Sequence, residues 1–128
     1  MATICKAIEV VVAGEAGQVA EMAEKIRDTG VNIQAFFAWT EGGRGKVVAI
    51  TDNCEKVRAA VSDGADSCAV EEALLATVKN QPGALGDIAR KLADAGITLN
   101  MVCATPGHAP TATFVLYTSD NARAAELV

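Results

Sequence analysis

Apolar residues recur along the chain with two periods, and the switches between them mark out the elements. Residues 7–13, AIEVVVA, are rich in Val and Ile, the composition of a strand. Residues 14–17 read as a turn. Val19, Met22, Ala23 and Ile26 then fall at i, i+3, i+4 and i+7, which puts them on one helix face, while Glu21, Glu24, Lys25 and Asp28 take the other. Gly30 sits where a helix closes in the left-handed conformation. Residues 31–40 alternate through Ile33, Ala35, Phe37 and Trp39, the period of a half-buried strand. The glycine-rich EGGRG, residues 41–45, predicts a hairpin loop, and residues 46–51 return as a strand through Val48 and Ile50. Asp52 or Asn53 is the expected N-cap of a second helix, and residues 67–71 form a fourth strand.

The pattern then repeats. Gly17 and Gly83 are 66 residues apart, as are Gly30 and Gly96. At that offset Val19 meets Leu85, Met22 meets Ile88, Ala23 meets Ala89, Ile26 meets Leu92 and Ile33 meets Leu99, and the alignment needs no gap out to Val61 and Leu127. A fixed period of this kind marks a duplicated structural unit. The second copy predicts a strand over 73–79, a helix over 84–95, a strand over 97–104, the loop TPGHAP over 105–110, a strand over 111–118, and a helix from Ser119 or Asp120 onward. The β-α-β-β-α-β order is ferredoxin-like. The expected fold is therefore α+β, with two units at 1–71 and 72–128, each an antiparallel sheet with two helices on one face. Only Val128 follows Leu127, so the second unit is expected to lack its last strand or to borrow it from a partner. An open edge invites pairing, which predicts a homodimer.

With these elements in place, the second copy resembles an ACT domain. The residues that carry the resemblance are Asn80, Gln81, Pro82, Gly83, Ala84, Leu85, Ile88, Leu92, Gly96 and Ile97: a polar pair, Pro-Gly, a small residue and Leu, then the helix apolars and the closing glycine. The first copy keeps Gly17, Val19, Met22, Ile26, Gly30, Val31, Asn32 and Ile33, with Ala16 in place of the proline. Nearly the whole chain is similar to a tandem ACT protein with no attached catalytic domain. The resemblance implies a small effector, an amino acid, bound where two units lie side by side, between the turn after one unit's first strand and the start of its neighbour's second strand. By position, the turns carry Asn80, Gln81, Pro82, Gly83, Ala84 and Leu85 in one copy, and Gly14, Gly17 and Val19 in the other. The strand residues are Asn32 and Ile33, with Thr98 and Leu99. The amides are unevenly kept, Gly14 standing opposite Asn80 and Thr98 opposite Asn32, so a single site pairing the Asn80 turn with the Asn32 strand is expected.

The corner has a physical rationale of its own. A helix's first turn holds N–H groups without intrahelical partners and carries partial positive charge, which suits a carboxylate. Pro82 fixes its φ and needs no donor, Gly83 permits close approach, and Asn80 offers both a donor and an acceptor. The plainer reading is punctuation: Pro-Gly often does no more than open a helix, and Asn80 then caps the turn.

Composition narrows the function. The net charge of −5, with 4% aromatic residues, leaves neither the clustered cations nor the stacking surface that nucleic acid requires. No apolar run reaches the roughly 20 residues of a membrane span. Cys5, Cys54, Cys68 and Cys103 form no C-x-x-C pair, so no metal site is expected and the thiols are expected to be free and mostly buried in a cytoplasmic protein. Arg44 and Lys46 in GGRGKV do not have phosphate-loop spacing. Phe36, Phe37 and Trp39 read as core or interface packing, His108 as a solvated loop residue, and Cys103 has no base in position to make it a nucleophile. Neither first-strand turn holds the Arg that an acyl-phosphate hydrolase would need. The resulting expectation is a non-catalytic regulator with no cofactor, binding an amino acid, forming a homodimer and acting on an enzyme of amino-acid metabolism. The alternative is a dimerisation or adaptor module with decayed sites, which Gly14, Ala16 and Thr98 favour.

Overall fold

A computed structural model describes residues 2–104 and 108–128. The elements follow in the order β1 (Ala2–Ala13), α1 (Gln18–Asp28), β2 (Ile33–Glu41), β3 (Arg44–Thr51), α2 (Cys54–Val61), β4 (Ser67–Lys79), α3 (Ala84–Asp94), β5 (Leu99–Ala104), β6 (Thr111–Thr118) and α4 (Asn121–Leu127). They form two compact units, one of Lys6–Glu71 and one of Met1–Cys5 with Glu72–Val128. The strands expected at 67–71 and 73–79 are one continuous strand, β4, and β1 starts five residues earlier than its Val-rich stretch. Both long strands contribute to both units.

In the unit Lys6–Glu71 the strand order is β2-β3-β1-β4. β1 pairs antiparallel with β3, from Ala7 opposite Ile50 to Ala13 opposite Arg44, and β2 pairs antiparallel with β3. Period two places Ile8, Val10 and Val12 of β1 on the same face as Val47 and Ala49 of β3, where Met22 and Ile26 of α1 and Val57 and Val61 of α2 cover them. Both helices thus share one face, as expected. α2 begins at Asn53, whose Oδ1 accepts from the Lys56 N–H at 3.2 Å.

The other unit has the order β5-β6-β4-β1. Leu74 and Ala76 of β4 with Ala112, Phe114 and Leu116 of β6 form the sheet side of its core, closed by Ile88 and Leu92 of α3 and Ala124 of α4. The expected gap in this sheet is filled by the start of the chain. Ala2 packs against the core, and the Cys5 thiol donates to the Ala73 carbonyl at 3.4 Å. The fourth strand therefore comes from the same chain and not from a partner, because β1 runs on past the unit in which it begins to be Val-rich.

The repeat also contains an insertion that the ungapped alignment hides. Helix N-caps Gly17 and Gly83 keep the offset of 66, but Ile33 lies opposite Thr51 where Leu99 lies opposite Thr118, an offset of 67. The N-caps Asn53 and Asp120 keep the larger offset, so Val61 corresponds to Val128 and not to Leu127. The second hairpin loop is one residue longer. Its Thr105, Pro106 and Gly107 lie outside the described residues.

The corrected offset exposes one mismatch between the copies. Asn121 Oδ1 accepts from Thr118 Oγ1 at 2.7 Å and from the Thr118 N–H at 3.2 Å, while its Nδ2 donates to Glu72 O at 3.3 Å. In the first unit the corresponding residues are Cys54 and Thr51, and the buried Thr51 hydroxyl has no hydrogen-bond partner among the described residues. Partial burial, followed by the Glu55 charge, holds the Cys54 thiol above its usual pKa.

Two outcomes follow from this packing. Cys54→Asn should restore the missing bond and raise stability by about 1 kcal/mol, read as a higher urea midpoint by Trp39 fluorescence; an unchanged midpoint would mean that the Thr51 hydroxyl gains nothing from a partner. Deleting residues 1–5 should destabilise the second unit through lost ladder bonds worth about 0.5–1.5 kcal/mol each. The single Tyr, Tyr117, lies in that unit and the single Trp, Trp39, in the other. Thermal scans should therefore show the Tyr117 ring resonances shifting to lower temperature, with a smaller change in Trp39 fluorescence.

Candidate functional site

Each unit has a corner where its first strand meets its first helix. At both corners a glycine is the N-cap, Gly17 with φ 89° and Gly83 with φ 90°, a left-handed geometry that costs other residues roughly 1–2 kcal/mol. No side chain caps α1 or α3, whereas Asn53 and Asp120 cap α2 and α4. Among the described residues, chain neighbours aside, nothing lies within 4 Å of where a Cβ on Gly83 would stand. The apolar residue in the first turn is exposed in both copies, Val19 and Leu85 each at 42%. The helical period had placed them on the packed face, but the face turns outward at the corner.

One backbone hydrogen bond fastens each corner to the neighbouring hairpin. The Gly14 N–H donates to Gly43 O at 3.1 Å, and the Asn80 N–H to Pro110 O at 2.9 Å. In the first unit the hairpin turn lies so close that a Cβ on Gly14 would stand 2.5 Å from Gly43 O. The missing amide at position 14 is thus a steric requirement. In the second unit the position holds Asn80, whose Nδ2 donates to Ala109 O at 2.8 Å. The carboxamide that the resemblance assigns to a ligand therefore also holds the hairpin.

Around the second corner lies a cleft of about 500 Å³, lined by Asn80, Gln81, Pro82, Gly83, Ala84 and Leu85 together with Ala104, Ala112 and Phe114. The six turn residues singled out in the sequence are brought together there. The three strand residues were not foreseen, because small apolar residues and one Phe in alternating strands read only as core. Their signal was positional: they flank the hairpin that the corner is tied to. Thr98 is not on this lining; its N–H bonds Ser119 Oγ at 2.9 Å and its carbonyl accepts from the Ser119 N–H at 3.0 Å. Asn32 is fastened the same way to Asp52, donating to Oδ1 at 3.3 Å and accepting from the Asp52 N–H at 3.4 Å, which leaves its side chain on a pinned, exposed backbone beside Ile33.

The remaining candidates have local partners. Arg44 pairs with Asp66, and Lys46 with Glu41 at 3.2 Å. Glu41 also accepts from the Trp39 indole N–H at 3.2 Å, which, with Lys46, holds its carboxyl below the usual range. Phe36 packs against the core, while Phe37 stacks on the exposed Trp39 at 6.0 Å. His108 is exposed. All four cysteines are free but half-buried, less enclosed than expected, and burial raises the Cys5 thiol. Among the described residues no group of three or more His, Cys, Asp or Glu is placed to hold a metal, and no helix is long and apolar enough to cross a membrane.

No protein-family model and no curated protein sequence matches the chain. Solved structures do. Protein BT0572 from Bacteroides thetaiotaomicron superimposes with a TM-score of 0.88 at 18% identity, over 98% of this chain and 87% of that one. The ligand-free regulatory subunit of aspartate kinase from Thermus thermophilus gives 0.74 at 10% identity, over 98% and 93%. The corresponding subunit from Thermus flavus gives 0.72 at 10%, over 99% and 90%. The chain has the tandem ACT fold. It shares that fold, over nearly its full length, with regulatory subunits of aspartate kinase.

The steric account of Gly14 is testable. Gly14→Asn, which would restore the amide of the other corner, should lower stability by about 1–3 kcal/mol through the clash with the Gly43 carbonyl, measured by thermal unfolding. A neutral result would overturn it.

Proposed function

We propose that this protein is a non-catalytic regulator that binds an amino acid at the Asn80–Leu85 corner. The observation that carries this reading is the cleft, which gathers the six turn residues and whose described lining holds no acid, base or nucleophile. Its volume falls in the ~300–1,000 Å³ range of small-molecule sites. The likeness to regulatory subunits of aspartate kinase supports a regulatory role, with an enzyme of amino-acid metabolism as the partner class. Four free thiols fit a reducing, cytoplasmic setting. Gly14, Gly17 and Val19 form the equivalent corner of the first unit, where Gly14 excludes an amide. That observation favours a second reading, an adaptor whose sites no longer bind.

Thermal-shift measurements with each of the twenty amino acids separate the two. A regulator working at metabolite concentrations should bind with micromolar to millimolar affinity, about 4–8 kcal/mol, and gain about 2.7 kcal/mol of stability at a hundred times Kd. If the folded protein responds to none of them at concentrations of order 10 mM, the adaptor reading stands in its place. Asn80→Ala is a poor discriminator, since it also releases the hairpin.

A further inference from the structure

The cleft at the second corner is one-sided in its chemistry. Phe114 and Ala112 are 4% and 2% exposed and belong to the unit's hydrophobic core, and Ala84 and Ala104 pack against that core. The inner wall of the cleft is therefore the open end of the core. Pro82 and the exposed Leu85 form the outer lip, and the polar groups on the lining are the uncharged side chains of Asn80 and Gln81. Asn80 is already tied to Ala109 O. None of the described lining residues is charged. A charged side-chain end carried into it would lose hydration and meet no charged side chain among the described lining residues, while the partial positive charge of the α3 N-terminus suits the ligand's own carboxylate at the mouth.

We infer that the effector's side chain is apolar: valine, leucine, isoleucine, methionine or phenylalanine, and not lysine or aspartate. This rests on the regulatory reading above and names the class of ligand at the same site. The side chain lies against Phe114, Ala112 and Ala104, with Leu85 closing over it. The zwitterionic head stays at the mouth, where Gln81 offers a donor and an acceptor. Selectivity then comes from apolar contact on one side and uncompensated charge on the other, the combination that separates ligands differing only in their side-chain ends.

Isothermal titration of the full chain with isoleucine, leucine, methionine, phenylalanine, lysine and aspartate tests the inference, together with carbon-13 methyl spectra of alanine-labelled protein. The best apolar ligand should bind at least about tenfold more tightly than lysine or aspartate, the discrimination that a single methylene in an apolar pocket already reaches. Saturation with it should shift the Ala104 and Ala112 methyl resonances. Leu85→Asp, at an exposed position, should weaken that ligand at least about tenfold while leaving the unfolding midpoint in place. Lysine or aspartate binding as tightly as the apolar set overturns the inference but leaves the regulatory reading standing. So does apolar binding that leaves both methyls unmoved. An absence of binding by every amino acid overturns both.

Discussion

In each unit, one backbone hydrogen bond sets the distance between the strand–helix corner and the tip of the β-hairpin. It runs from Gly14 to Gly43 in one unit and from Asn80 to Pro110 in the other. A bond near 3 Å between two main-chain atoms leaves no slack, so the length of the hairpin loop decides what the corner residue can be. Two turn residues, Gly42 and Gly43, bring the carbonyl onto the space of a side chain at position 14. In the other unit, whose loop is one residue longer, Asn80 keeps its side chain and uses it against Ala109. The two corners diverge for this reason, and the helices they open both begin without a side-chain cap.

The same bond explains where the cleft lies. With the corner fastened to the hairpin, the space between them opens onto the ends of β5 and β6 and not onto bulk solvent alone. Those strand ends carry Ala104, Ala112 and Phe114, which contribute to the core from within and to the cleft from outside. A site built from the end of a core inherits its apolar character, and the polar choice is confined to the rim. The fold shared with aspartate kinase regulatory subunits says nothing about that choice; the residues around the cleft do.

Much of the fold was legible because it rests on period. The helix faces around Met22, Ile26, Ile88 and Leu92 and the glycine stops came through, whereas the alternation read in β2 did not: Phe36 packs on the core and Ile33 and Trp39 are exposed. The first-turn residues Val19 and Leu85 did not, since helical spacing cannot say where a helix leaves its sheet. The one-residue insertion was hidden in a loop of glycine and proline with no period to slip against. Residues 2–5 carry an ordinary strand pattern, and no local feature says which sheet a strand will join. Gly14 read as a lost amide, although its absent side chain meets a carbonyl that comes from 29 positions further along the chain. At the site, the six turn residues were visible as a motif. The three strand residues that give the cleft its chemistry were not, because what they do depends on where the core ends.

The closing strand of the second unit also has a consequence for the order of synthesis. Residues 2–5 are made well before the residues that pack with them, since those of their unit run from Glu72 onward. The unit Lys6–Glu71 has all its parts before the helices and strands beyond β4 are made, and is free to fold as a piece during translation. Its first strand then projects a short unpaired extension, an edge exposed to any other strand until β4 is complete. Kinetic risk is thus concentrated in residues 2–5, where a neighbouring nascent copy would interfere most.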